Sequence, residues 1–218
     1  MIGFISPRDL RELGMLGINR RNSDYVMRYN PRHLYPLVDD KLKTKSLAIS
    51  AGIDVPKLYA TLEINHQITS LDSLLEQHRE VVIKPAHGSG GNGILVLDGR
   101  IGKFHRTANG SLITLNYIKH YVSNILSGMY SLGGVPDTAF LEYRVQFDPV
   151  FDNVSFKGVP DIRIIVFKGI PVAAMLRLPT SKSGGKANLH QGAIGVGIDL
   201  ASGVSTSAVI GNMSTTMH

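Results

Sequence analysis

Val81-Val82-Ile83-Lys84-Pro85, then His87-Gly88-Ser89-Gly90-Gly91-Asn92-Gly93, then Ile94-Leu95-Val96-Leu97, is the stretch whose reading decides the fold. A β-branched run ends in a lysine, a glycine-rich loop follows, and a second short apolar run begins at once. Gly88, Gly90 and Gly93 satisfy G-x-G-x-x-G, but the dinucleotide fingerprint requires that loop to open a helix. Here it opens a run with strand character, so the unit reads as strand, glycine loop, strand. The tip is bare backbone whose N–H groups can lie over a polyphosphate, and Lys84 adds a point charge. An ordinary glycine-rich hairpin turn would show the same residues. The P-loop pattern G-x-x-x-x-G-K-[ST] is absent.

Outward from this hairpin, composition bounds the rest. A chain of 218 residues makes one large domain or two small ones, at ~100–200 residues per domain. With 43% hydrophobic and 18% charged residues, it can build a sizeable core. It has no cysteine, which excludes disulfides, thiol chemistry and thiolate metal sites and fits a reducing compartment; the expectation is cytoplasmic. No apolar run approaches ~18 residues, so no membrane span is expected. The opening Met1-Ile2-Gly3-Phe4-Ile5-Ser6-Pro7 lacks a basic region followed by an apolar one, so no signal peptide is read. The net charge of +6 suits an anionic partner. Basic residues are spread along the chain, most densely as Arg20, Arg21, Arg28, Arg32, Lys41, Lys43 and Lys45.

Ser6-Pro7-Arg8-Asp9 predicts a capped helix to about Leu13. Residues 17–38, rich in Asn, Arg, Tyr and Pro, predict an ordered loop or arm that could pack on a second copy. A helix is expected over 40–51, capped by Asp39 and stopped by Gly52. A strand entry at 55–61 and a helix capped by Thr69 or Ser70 precede the glycine hairpin. After it come a short strand at 112–114, a helix over 115–129 and a strand ending at Glu142. Residues 147–160 read as a loop, and Lys168-Gly169-Ile170-Pro171 as the turn of another hairpin. A last strand is expected over 194–200; the Ser/Thr-rich chain after Gly203 shows no packing partner. The expected organisation is an N-terminal helix and arm (1–38), a lobe bearing the glycine flap (39–141) and a second lobe (142–218).

The chemistry-bearing residues then follow in a fixed order. Asp40-Lys41 precedes Gly52-Ile53-Asp54-Val55-Pro56, and Val82-Ile83-Lys84-Pro85 carries the flap. Next come Glu142-Tyr143, Asp161-Ile162-Arg163, Val172-Ala173-Ala174-Met175 with Arg177, and Lys186-Ala187-Asn188-Leu189-His190-Gln191-Gly192. Singly, each has a bland reading as surface charge, turn residue or structural histidine. Their order resembles the ATP-grasp superfamily, nearest to the branch of ligases that add glutamate to protein or peptide carboxyl ends. The resemblance covers about residues 36–200.

That resemblance implies an α/β (α+β) fold of two small lobes with ATP between them. It implies that Lys41 and Lys84 hold the α- and β-phosphates while Gly88, Ser89, Gly90, Gly91, Asn92 and Gly93 close over the nucleotide. It puts Glu142 and Tyr143 at a hinge beside the adenine edge and Asp161 near the ribose or substrate amine. Lys186 and Asn188 would approach the terminal phosphate and, through it, Mg²⁺. Arg163 and Arg177 are the candidates for the substrate carboxylate and the acyl phosphate, which the guanidinium fork suits. The implied reaction is phosphoryl transfer to a carboxylate followed by attack of an amine, giving an amide, ADP and phosphate. The family's Asp…Glu-x-Asn metal segment is not found before His218, so the metal ligands are expected outside this sequence. Two other functions compete. One is a nucleotide-binding module without catalysis. The other is a basic nucleic-acid binder stacking bases on Tyr25, Tyr29 and Tyr35, ranked last because it leaves the Lys84 flap without a purpose.

Overall fold

The computed structural model describes residues 5–88, 90–146, 148–156, 158–211 and 213–215. Ser89 of the flap and Phe147 of the expected loop lie outside the described residues. The chain forms two compact units, Met1–Ile53 and Asp54–His218.

The elements described in the first unit are all helical. Helix α1 (Pro7–Glu12) starts as expected, on a capping box. The Ser6 hydroxyl accepts from the Asp9 amide at 3.1 Å, and the Asp9 carboxylate accepts from the Ser6 amide at 3.3 Å. Residues 17–38 correct the loop expectation. They form α2 (Ile18–Arg21), a π-helical stretch (Asn22–Met27), a 3₁₀ turn (Arg32–Leu34) and α3 (Pro36–Asp39). Pro31 and Pro36 shorten these pieces without preventing them, because Pro36 occupies the first helical position, where no N–H is needed. A second correction concerns the next cap. Asp39 ends α3, and Asp40 caps α4 (Lys41–Ser50), accepting from the Leu42 and Lys43 amides at 2.9 and 3.2 Å.

The second unit holds two antiparallel sheets. The first contains β1 (Leu58–Leu62), β2 (Glu80–Pro85), β3 (Leu95–Ile101), β4 (Phe104–Thr107), β5 (Leu112–Thr114) and β6 (Ala139–Tyr143), in the order β1-β6-β2-β3-β4-β5. Helices α5 (Leu71–Gln77) and α6 (Leu115–Leu126) cover one of its faces. Ile118, Val122, Ile125 and Leu126 recur at helical spacing and are buried against Val81, Ile83, Ala139 and Leu141. Burying each such side chain contributes about 1.5–3 kcal/mol. Thr114 starts α6 by accepting from the Tyr117 amide at 3.2 Å, and the helix ends at Leu126, three residues short of the expected end.

The second sheet runs β11-β10-β9-β8-β7, with β7 (Asp161–Phe167), β8 (Ile170–Leu178), β9 (Ile194–Ile198), β10 (Ser205–Ile210) and β11 (Met213–Thr215). β10 and β11 overturn the expectation that the chain after Gly203 lacks a packing partner. Ser205-Thr206-Ser207 hides a strand because its residues are polar and exposed; the strand is held by its ladder to β9 and by Ala208, buried with Val196 and Leu178. The fold is therefore mixed α+β, with a helix-covered sheet carrying the glycine hairpin and a second sheet carrying the later motifs.

Candidate functional site

Register sorts the residues of the first sheet onto its two faces. In the β2–β6 ladder Val82 stands opposite Glu142 and Lys84 opposite Phe140. Paired residues share a face and alternate ones change it, so Lys84 and Glu142 lie on the face away from α5 and α6. The Lys84 ammonium donates to the carboxylate of the buried Glu142 in a close ion pair. Glu80 lies further along the same face and accepts from Arg144 Nη1 at 3.0 Å and Gln146 Nε2 at 2.7 Å. Asp98, paired opposite Glu80, accepts from Arg106 Nε at 2.8 Å. The face is thus a ladder of opposite charges with Lys84 at its flap end. Tyr143 follows Glu142 with an exposed ring, and its amide is bonded to the Lys57 carbonyl at 2.8 Å.

The flap joins β2 to β3, which pair antiparallel as the sequence predicts. Gly90, Gly91 and Asn92 are exposed at its tip, whereas Gly88 and Gly93 are buried at its two feet. Gly93 has φ +75°, and a Cβ there would stand 2.7 Å from Tyr130 Cγ and 3.0 Å from Pro85 Cγ. The Tyr130 ring thus occupies the space a side chain would need. It lies 5.7 Å from the ring of Tyr121, whose phenol is pushed well above its ordinary range, chiefly by burial.

Sequence reasoning missed a further contact at the foot of the flap. Asp137, its side chain fully buried, accepts from the His87 amide at 3.1 Å and the Thr138 amide at 2.7 Å, and its carboxylate lies 2.7 Å from His87 Nδ1. His87 and Asp137 are 50 residues apart, and no local pattern links them.

On the second sheet Asp161, Arg163 and Arg177 share one face. Asp161 stands opposite Arg177, and Arg163 opposite Met175. The Arg177 guanidinium grips Asp161 with both arms, Nε reaching Oδ1 at 2.9 Å and Nη2 closing on Oδ2. Arg163 is exposed beside this pair. Gly195 of β9 stands opposite Arg177 on that face, and a Cβ there would come 3.1 Å from Leu189 Cδ2. The missing side chain lets the Asn188-Leu189-His190 turn lie against the strand next to Arg177. Asn188 caps that 3₁₀ turn by accepting from the His190 amide at 3.1 Å, and Lys186 is exposed just ahead of it.

Among the expected site residues, then, Lys84 and Glu142 meet, and Asp161 and Arg177 meet. Arg163 shares a sheet face with the second pair, and Leu189 packs over Gly195 on that face. Lys41 opens α4 in the first unit, directly behind its Asp40 cap. Among the described residues no group of three or more His, Cys, Asp or Glu is arranged to hold a metal ion, so Mg²⁺ finds no ligand set there. No helix among them is long and apolar enough to cross a membrane.

A family model described as sugar-transfer associated ATP-grasp matches residues 20–218. No curated protein matches the sequence significantly. A flap between antiparallel strands, a lysine at its foot on the face turned from α5 and α6, and the match over nearly the whole chain agree. The protein belongs to the ATP-grasp superfamily, whose members bind ATP for ligase-type chemistry, within its sugar-transfer associated family.

Proposed function

We propose that the chain is the ATP-binding part of a ligase that joins a carboxylate to an amine through an acyl phosphate. In this reading residues 39–141 and 142–218 are the two lobes. The observation that carries it is Lys84, set by β2 on the face turned from α5 and α6, at the foot of the glycine flap. Lys84 and Lys41 take the α- and β-phosphates, and the backbone N–H groups of 88–93 cover them. Glu142 and Tyr143 border the adenine, Asp161 the ribose or the amine. Arg163 and Arg177 hold the carboxylate, while Lys186 and Asn188 approach the terminal phosphate. A carboxylate oxygen attacks the γ-phosphorus and ADP leaves; the amine nitrogen then attacks the acyl carbon, phosphate departs and the amide forms. Closure of the flap keeps water from the acyl phosphate, while the cations offset charge on the moving phosphoryl group.

The likeness to glutamate ligases favours an amino acid such as glutamate as one reactant. The family's association with sugar transfer favours a second reading, in which a sugar-borne carboxylate or amine is the other. Cytoplasmic placement is part of the proposal, supported by the absence of cysteine. The test is a panel assay with ATP, Mg²⁺, amino acids, uronic acids and amino sugars, following phosphate release and amide formation by mass spectrometry. Phosphate and amide appearing in equal amounts with one pair supports the ligase. Tight ATP binding with no turnover on any pair supports a nucleotide-binding module instead.

A further inference from the structure

We propose that the helical first unit docks on an anionic lipid surface, with the apolar turn at residues 13–18 inserted at the headgroup boundary. This goes beyond the nucleotide reading and does not depend on it. It starts from packing. Among the described residues, α1, α2, the π-helical stretch, the 3₁₀ turn and α3 bury no side chain, and α4 buries only Lys45. Short helices owe most of their stability to an apolar face packed on something else, and these leave their apolar side chains open.

The exposure is densest in one turn. Leu13, Met15 and Ile18 are 73, 60 and 67% exposed, and Leu16 is exposed between them. The turn is preformed. With Gly14 at φ +81°, its amide donates to the Arg11 carbonyl at 3.0 Å and the Met15 amide donates to the Leu10 carbonyl at 2.8 Å. At such a helix end the side chain after the glycine commonly packs back on the last turn; here Met15 stays open.

Charge selects the occupant. Residues 1–53 carry nine arginines and lysines against five acids, a net +4 of the chain's +6. Arg8 is matched by Glu12 and Arg20 by Asp24. Arg11 and Arg21, on either side of the turn, form no ion pair among the described residues. An apolar projection between two such cations meets both layers of an anionic bilayer surface, the acyl boundary and the phosphates above it. Tyr25 and Tyr29, exposed on the following helical stretch, suit the depth of the headgroups. A second copy would bring the same cations against these, which opposes self-association here. The contact lies in the surface plane, since no described helix is long and apolar enough to cross a membrane.

The test is flotation of the full chain with vesicles of phosphatidylcholine alone or with about 30% phosphatidylglycerol. Wild type should float with the anionic vesicles, stay behind with the neutral ones, and be released by salt near ~0.5 M. Arg11→Gln with Arg21→Gln should lower the partition about 20-fold. Leu13→Ser with Met15→Ser should lower it about tenfold. Thermal midpoints of both should match wild type, because the replaced side chains are exposed. The chain has no tryptophan, so Met15→Trp gives a single reporter whose emission should shift to the blue on anionic vesicles. Wild type that binds neither vesicle, or binds both equally, overturns the proposal. Binding with no shift of Met15→Trp, or unchanged in the Leu13/Met15 double variant, overturns the insertion of the turn. A dimer by light scattering that the double variant abolishes, without vesicle binding, assigns the turn to a second copy and also overturns it.

Discussion

Replacing Gly93 by alanine should destabilise the protein by more than the same change at Gly91, at the tip of the flap. At φ +75° a side chain sits in the left-handed region, which costs about 1–2 kcal/mol for a residue with a Cβ. The new methyl would also stand 2.7 and 2.8 Å from Tyr130 Cγ and Cδ2 and 3.0 Å from Pro85 Cγ. Forcing packed groups apart costs about 1–3 kcal/mol. The stiffer unfolded chain returns about 0.4–1 kcal/mol, leaving a net loss of about 2–4 kcal/mol. Gly91→Ala is the matched control, because its φ of +80° carries the same strain while nothing lies within 4 Å of its Cβ. That variant should lose about 1 kcal/mol. Urea unfolding of both variants, read as a midpoint shift at constant slope, measures the difference. In a Tyr130→Ala background most of the extra cost at Gly93 should vanish, leaving the backbone strain and the Pro85 contact. Equal losses for Gly91→Ala and Gly93→Ala would mean that Tyr130 does not seat the flap, and the reasoning would be wrong.

Lys84→Ala removes the cation at the flap's foot and should weaken ATP binding by about 1.5–3 kcal/mol, the worth of one charged hydrogen-bonded contact; calorimetry showing unchanged affinity would remove Lys84 from the nucleotide site. Asp40→Ala deletes the two amide contacts that start α4 and should cost about 1 kcal/mol, visible as lost helicity and a lower urea midpoint. His105, buried on β4, has its pKa lowered first by burial and then by the charge of Arg100. A depressed folded-state pKa means the neutral form is favoured by folding. Its contribution is therefore complete above the ordinary histidine value near 6.5 and is lost as pH falls below that value. His105→Gln should flatten the decline in urea midpoint between pH 7.5 and 5.5, and an unchanged decline would show that another group causes it.

The glycine hairpin was legible because its signals are local. A β-branched run, a lysine, four glycines and a second apolar run need no distant partner to be read. The same holds for the Ser6–Asp9 capping box and for the buried stripe of α6, where spacing alone selects the face. The misreadings share a cause too. Asp39 and Asp40 are equally good caps by composition, and only the preceding α3 turn, which takes Asp39 as its last residue, chose between them. The strand Ser205–Ile210 reads in sequence as an unpartnered tail because half of its residues are hydroxyl-bearing and its support is a ladder to β9.

For the site, the sequence alone determined which residue types stand beside which backbone: a lysine before a bare loop, an arginine two residues after an aspartate. Only the tertiary structure decided which charges meet. Glu142 holds Lys84 from 58 residues away, Asp137 holds His87 from 50, and Asp161 holds Arg177 across a hairpin. The physical reason is register. A strand slipped by one residue would turn Lys84 away from Glu142, or Arg177 from Asp161, and in the first sheet register is chosen by how whole strands bury Val81, Ile83, Ala139 and Leu141 under two helices, which no short stretch of the chain contains.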